Sequence, residues 1–168
     1  MSSENVIVNE SDLEWDEVQN GDQTLMKRKK LGNAVAGSKL GCSLYEIPAG
    51  KRSWPMHYHC ANEESIYVLS GEGRLRLRDR EVPLRAGDYA SFPATPDGAH
   101  QIVNDSSEPL RLLFLSTMLD PDISIYPESN KVGLFAGRAP GGAAKEGVQE
   151  LNTFLDRDAV VDYWKDEG

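Results

Sequence analysis

The chain holds three histidines, and two of them, His57 and His59, stand one residue apart just ahead of the pair Glu63-Glu64. In an extended strand, residues two apart point to the same side, whereas on a helix they diverge by about 200 degrees. The two imidazoles therefore converge only if this segment is extended, and Pro55 just upstream favours an extended entry. Glu64 opens an apolar run in which Ile66 and Val68 share its parity, so Glu64 is expected to face the interior with them and Glu63 to face out. A carboxylate turned into an apolar interior is unfavourable unless a cation matches it, and neutral imidazoles bring no charge. A divalent metal resolves that conflict. His100, which shares one strand face with Ile102 and Asn104, can point inward as well. Three imidazoles and one carboxylate fill four positions around a first-row metal and leave one or two for water or substrate. Zinc, iron, manganese, nickel, cobalt and copper all accept such a shell, so the donors alone do not choose among them. His-x-His by itself is a weak motif, and a lone histidine is more often a packed polar residue than a ligand. What favours a metal is that all three histidines fall at inward parity with a glutamate beside them.

The elements that must position these side chains are short strands. From Lys39 onward the dominant period is two, clearest in Arg74-Leu75-Arg76-Leu77-Arg78, which buries its leucines and turns its arginines to water. Asp79-Arg80 fits a tight turn into a second strand at 81–84, where Pro83, lacking an amide donor, favours an edge. Further strands are expected at 40–47, 64–69, 89–92, 101–103, 110–116 and 131–135, separated by clusters of Gly, Pro, Asp or Ser. With almost no helical periodicity between them, they predict an all-β jelly roll or closed barrel. The organisation expected is an N-terminal extension contributing strands (1–38), a β-barrel (39–136), and a small-residue linker with a short helical or irregular tail (137–168). One or two helical turns are expected across 152–164, docking through Phe154, Val161 and Trp164. Leu113 and Leu115 lie opposite Leu110, Leu112 and Phe114, so both faces of that strand need cover, from the N-terminal segment or from a second copy in a homodimer.

Composition narrows the partners. Eighteen basic against 27 acidic residues give a net charge of -9, which argues against binding a phosphate backbone, so no nucleic-acid partner is expected. The one basic run, Lys27-Arg28-Lys29-Lys30, could be a binding patch, but it sits in an acidic N-terminal region and reads rather as a solvated loop or strand edge. The N-terminus lacks a basic stretch followed by an apolar one, and no apolar run is long enough to span a bilayer, so a cytoplasmic protein with no membrane partner is expected. Cys42 and Cys60 form no Cys-x-x-Cys pair and are expected to be reduced bystanders.

Two stretches taken together resemble the motifs of the cupin superfamily. Gly50, His57, His59, Glu64 and Gly71 occupy the places of the first, and Gly87, Pro93, His100 and Asn104 those of the second. Six residues rather than five separate Gly50 from His57, and the Pro-x-Gly turn of the second motif is stretched to Pro93-Ala-Thr-Pro-Asp-Gly98. The resemblance covers roughly residues 40–115. It implies a double-stranded β-helix barrel whose lumen holds a divalent transition metal (zinc, iron, manganese or nickel) on His57, His59, Glu64 and His100, and barrels that pair as homodimers. Gly50-Lys-Arg-Ser-Trp-Pro and Tyr126-Pro-Glu-Ser-Asn-Lys-Val-Gly are similar to an uncharacterised branch of small single-domain cupins.

Such a centre carries a net charge of about +1, which suits an anionic oxygen and so a small acid or sugar-like ligand. Lys51 or Arg52 could pair with an acid group, or stand as rim charges. Trp54 could line the mouth or pack in the core. Gln101 faces away from the His100 side. Two functional classes follow. One is a metal-dependent enzyme, a dioxygenase, isomerase or decarboxylase of a small oxygenated or anionic substrate. The other is a non-catalytic pocket for a small acid or sugar derivative. No histidine is left for general acid-base work, and Glu72 and Tyr67 are the remaining candidates for it.

Overall fold

The computed structural model describes residues 5–143 and 146–168. The chain runs through β1 (Asp16–Asn20), β2 (Thr24–Lys29), β3 (Gly41–Ile47), β4 (Tyr58–His59), β5 (Glu64–Ser70), β6 (Glu72–Leu77) and β7 (Glu81–Arg85). It continues through β8 (Tyr89–Phe92), β9 (His100–Val103), β10 (Leu110–Ser116), β11 (Asp122–Tyr126), β12 (Lys131–Ala136) and β13 (Leu151–Asp156). Helix among the described residues is limited to 3-10 turns at Glu10–Asp12, Gly32–Ala34 and Pro96–Gly98.

One wall is a six-stranded sheet in the order β1-β2-β3-β10-β5-β8. The other is built from a four-stranded sheet, β13-β12-β11-β4, and a three-stranded sheet, β7-β6-β9. A single backbone bridge joins these two smaller sheets: His57 and His100 exchange amide-to-carbonyl hydrogen bonds of 3.3 and 3.0 Å. Met26, Ile47, Ile66, Val68, Leu110 and Leu112 from the large sheet pack against Leu75, Leu84 and Ile102 from the other wall. All follow the period-two pattern, so the same alternation that fills the core fixes the register of Glu64 and His100 at its open end. The two walls form an all-β double-stranded β-helix of the jelly-roll kind.

Three expectations need correction. First, the basic run is no loop. Lys27, Arg28 and Lys29 lie within β2 between β1 and β3, and Lys29 is buried, its ammonium donating to the Glu10 carbonyl at 2.7 Å and sitting 4.6 Å from the Trp15 ring centre. Second, residues 152–164 hold no helix. β13 pairs along the whole of β12 from Lys131↔Asp156 to Ala136↔Leu151, because the open edge of β12 offers a row of unpaired amides and carbonyls that an extended segment satisfies. Phe154 packs edge-on against Tyr126 and Phe135, while Val161 and Trp164 are exposed. Third, β11 was not anticipated at all, and it carries part of the site.

Candidate metal centre

His57 and His59 enter on the extended segment that ends in β4, and β4 is held by β11 through Tyr58↔Ile125 and His59↔Ser124. Glu64 opens β5 with Ile66 and Val68 fully buried behind it, and Glu63 is exposed. His100 opens β9. The stretched turn before it closes as a 3-10 turn over Pro96–Gly98, folded so tightly that a Cβ on Gly98 would sit 2.0 Å from the Pro93 carbonyl oxygen. Gly98 also receives the His100 ring, whose Nδ1 lies 2.9 Å from the Gly98 carbonyl.

Ligand atoms of His57, His59 and Glu64 all lie within 4.8 Å of one another. His100 stands outside that tight set but adjoins it: its Nε2 is 3.6 Å from Glu64 Oε2, and His59 Nε2 is 3.5 Å from the same oxygen. The donors are oriented from behind. His57 Nδ1 is 2.9 Å from the Pro55 carbonyl, His100 Nδ1 faces Gly98, and His59 Nδ1 is 2.5 Å from Asp122 Oδ2. Carbonyls and carboxylates accept only, so each Nδ1 carries the proton and each ring, when neutral, presents the Nε2 lone pair. His100 Nε2 is buried and has no hydrogen-bond partner among the described residues. Such an orphan is rare, and an ion at this point would satisfy it.

The electrostatics agree. Burial, with repulsion from His100 and His59, pushes the His57 pKa well below the ordinary imidazole value, and burial drives His100 down to about 4. Both rings are neutral near pH 7, as metal donors must be. Burial pushes the Glu64 carboxyl up, only partly opposed by His59, so as an anion it lacks compensation. His59 alone is raised: burial lowers it, but the Asp122 hydrogen bond and the nearby Glu64 and Asp122 charges outweigh that. Three aligned imidazoles and an undercompensated carboxylate fit a divalent cation.

Asp122 is the residue that sequence reasoning missed. Its side chain is fully buried, taking His59 Nδ1 on one oxygen and the Ala61 amide, at 2.9 Å, on the other. Ser124 Oγ lies 3.1 Å from the same His59 nitrogen. Tyr126, next on that face of β11, stacks on His57 with ring centres 5.6 Å apart. Burial raises its phenol to about 12, so it stays a neutral donor.

A cavity of about 290 Å³ opens on the centre, lined by His57, His59, Glu64, Ser124 and Tyr126, with Trp54, Phe114 and Phe154 among its apolar walls. Trp54 therefore does both things open to it, since it also packs on the core and donates to the Tyr45 hydroxyl at 3.2 Å. Lys51 and Arg52 do not line the cavity, and Lys51 instead donates to the Asp22 carbonyl. Glu72 and Tyr67 lie on the outside. Gln101 points away, accepting from Arg76 and donating to the Trp54 carbonyl at 2.9 Å. Asn104 is structural, its amide tying the Ile47 and Glu108 carbonyls. Cys60 is exposed, and burial of its sulfur with the Asp122 charge pushes its thiol up, away from reactivity.

The protonation pattern gives a testable pH dependence for the metal-free protein. A buried ring that titrates at about 4 folded but at its ordinary 6.5 unfolded binds its proton later in the native state, so its contribution to stability falls as pH drops from 6.5 towards 4. For His100 the loss approaches roughly 3 kcal/mol. His59 and Glu64 titrate in the opposite sense and offset part of it. A His100→Gln variant is therefore expected to show a shallower fall of unfolding free energy over that range, measured by urea titration at each pH. An unchanged slope would contradict the buried neutral ring.

A two-walled β-helix with a histidine-glutamate cluster opening to its lumen defines a family, and the chain belongs to the cupin superfamily. The cupin domain family matches residues 43–116. The chain is 31% identical to a candidate sugar phosphate isomerase of Acidithiobacillus ferrooxidans, over 83% of this chain and 81% of that one, with a TM-score of 0.69. A sugar phosphate isomerase from a cupin superfamily of Silicibacter pomeroyi shares the fold at 22% identity and a TM-score of 0.75, over 91% and 94% of the two chains. An uncharacterized protein of Methanocaldococcus jannaschii is 27% identical over 56% of this chain and 74% of its own length.

Proposed function

We propose that this chain is a metal-dependent enzyme of a small oxygenated, anionic substrate, and that among isomerase, dioxygenase and decarboxylase the isomerase reading, on a phosphorylated sugar, is the best supported. The observation that carries the metal is the convergence of His57, His59 and Glu64 beside the unpartnered Nε2 of His100. The likeness to the Acidithiobacillus protein supports the reaction. His57, His59, Glu64 and His100 would hold a divalent ion, which supplies Lewis acidity towards a carbonyl or hydroxyl oxygen. Asp122 and the Pro55 and Gly98 carbonyls hold the three rings in the required tautomer. Trp54, Phe114 and Phe154 exclude water from part of the cavity, and the Tyr126 hydroxyl is placed to donate a hydrogen bond to a substrate oxygen.

A second reading, a pocket that binds a small acid or sugar derivative without turnover, is favoured by one observation. The two phenols of the cavity, Tyr45 and Tyr126, are both pushed up by burial and offer donors rather than bases. One experiment separates the two. Protein reconstituted in turn with zinc, iron, manganese and nickel is incubated with a panel of phosphorylated aldoses and ketoses, followed by NMR for interconversion and by an oxygen electrode. Interconversion with at least one metal, absent in His57→Ala, is the expected result. Binding without conversion or oxygen uptake would leave the pocket reading.

The same reading includes a cytoplasmic homodimer. Neither cysteine is in a disulfide, and among the described residues no helix is long and apolar enough to cross a membrane. Leu113, Tyr67 and Tyr89 stand in register across three adjacent strands on the outer face of the large sheet, and both tyrosines are exposed. An apolar row of this kind supports pairing with a second copy. Sedimentation is expected to give twice the chain mass at micromolar concentration; a monomer would count against it.

A further inference from the structure

Thr24 and Met26 are buried on the inner face of β2, and the same parity carries Arg28 and then Lys30 to the cavity wall. Two cations of the run read as solvated are thus turned towards the site. Arg28 is fixed there. Its Nε lies 2.8 Å from Asp16 Oδ2 and its guanidinium carbon 5.4 Å from the Trp54 ring centre. Lys30 Nζ is 3.8 Å from the same Asp16 oxygen. Arg138, paired with Glu150 at 3.0 Å, is near enough to repel Lys30. Arg28 and Lys30 line the cavity and share one carboxylate, Asp16, which leaves an excess positive charge at this end in a chain whose net charge is -9. Burial, then repulsion from Arg28, holds the Lys30 ammonium below its ordinary range, with Asp16 opposing the shift and Arg138 adding to it.

Resting on the metal-centre reading for the other end of the ligand, we propose that Arg28 and Lys30 form a subsite for the anionic oxygens of the substrate, a phosphate ester or a carboxylate. The ligand then spans the cavity from this cation pair to the histidine-glutamate centre. Arg28 offers a planar fork suited to oxyanions, and Lys30 a mobile point charge beside it. Neither touches the donors of the centre, so both act on recognition.

The test uses calorimetry on metal-loaded protein with glucose 6-phosphate, gluconate and glucose, and on metal-free protein with inorganic phosphate. Lys30→Gln and Arg28→Gln are each expected to weaken at least one of the two organic anions, and inorganic phosphate, about tenfold. Lys30→Arg, which keeps the charge, is expected to retain most of the anion affinity that Lys30→Gln loses, and the outward Arg85→Gln to leave binding unchanged. Whichever organic anion loses more identifies the group. Thermal midpoints of the variants check that they are folded. The subsite is overturned if Lys30→Gln and Arg28→Gln bind like Arg85→Gln, or if glucose binds as tightly as both anions. Metal binding with anion binding indifferent to Lys30 removes the subsite and leaves the proposed function. Phosphate binding that depends on Lys30 in a protein that takes up no metal upholds the subsite and removes the proposed function.

Discussion

Glu64→Gln is expected to abolish metal uptake, from about one ion per chain to near none by elemental analysis, while leaving the metal-free protein at least as stable as the unmodified chain. The two effects have opposite signs for one reason. In the absence of an ion, Glu64 is a partly buried carboxylate whose pKa burial pushes up, beside His57 and His100 held neutral and only partly matched by His59. Replacing it with a neutral isostere removes an undercompensated charge, and the gain in desolvation offsets the lost attraction to His59. With the ion, the same carboxylate is the only anionic donor in the set. Its loss forfeits the stabilisation that binding confers, about 4 kcal/mol when free metal exceeds Kd a thousandfold. Thermal unfolding with and without added zinc reads both at once. A Glu64→Gln protein that melts several degrees lower without metal, and still takes up an ion, would show that the glutamate serves packing and would end the metal proposal.

Asp122→Asn should weaken metal binding by about 10–100-fold and destabilise the metal-free protein by about 3 kcal/mol. The carboxylate does two jobs from one buried position: it accepts from His59 Nδ1 and from the Ala61 amide. An amide in its place can present its NH2 to His59, which frees the ring to turn or to adopt the other tautomer, with Nε2 protonated and useless as a donor. The His59 imidazole, which this contact helps to raise, is expected to titrate lower in the variant, and NMR of the ring protons follows that directly. A chelator competition that returns the unmodified affinity would show that Asp122 does not orient the centre. Asp122→Ala, which leaves a void as well as an unpaired ring, is expected to unfold more readily than Asp122→Asn.

These two residues also mark where the sequence was legible and where it was not. Glu64 could be read because its neighbours Ile66 and Val68 declare which face is inside, and the same alternation located most strands of the barrel. Asp122 could not, because β11 inverts the rule. Asp122 and Ser124 are its buried residues and Ile123 is exposed, since the face they share borders a polar centre rather than the core. A strand with polar residues inside reads as a turn, all the more after Asp120-Pro121. β13 was hidden for a different reason: it is an edge strand with no buried face, so it carries no period for the pattern to report. The basic run was misread because four adjacent cations look alike in sequence, and only the strand pleat separates Lys29, turned under Trp15, from Arg28 and Lys30, turned to the cavity.

The cavity wall is assembled from two sources. His57, His59 and Glu64 belong to the segment that the cupin domain family matches, but Arg28 and Lys30 from β2 and its end, Ser124 and Tyr126 from β11, and Asn152 and Phe154 from β13 lie outside it. The histidine-glutamate cluster and the proposed anion subsite thus sit on different parts of the chain. Substitutions in β2 and β13 would reshape the cavity wall without touching His57, His59, Glu64 or His100, so two relatives that keep these four residues need not share a ligand.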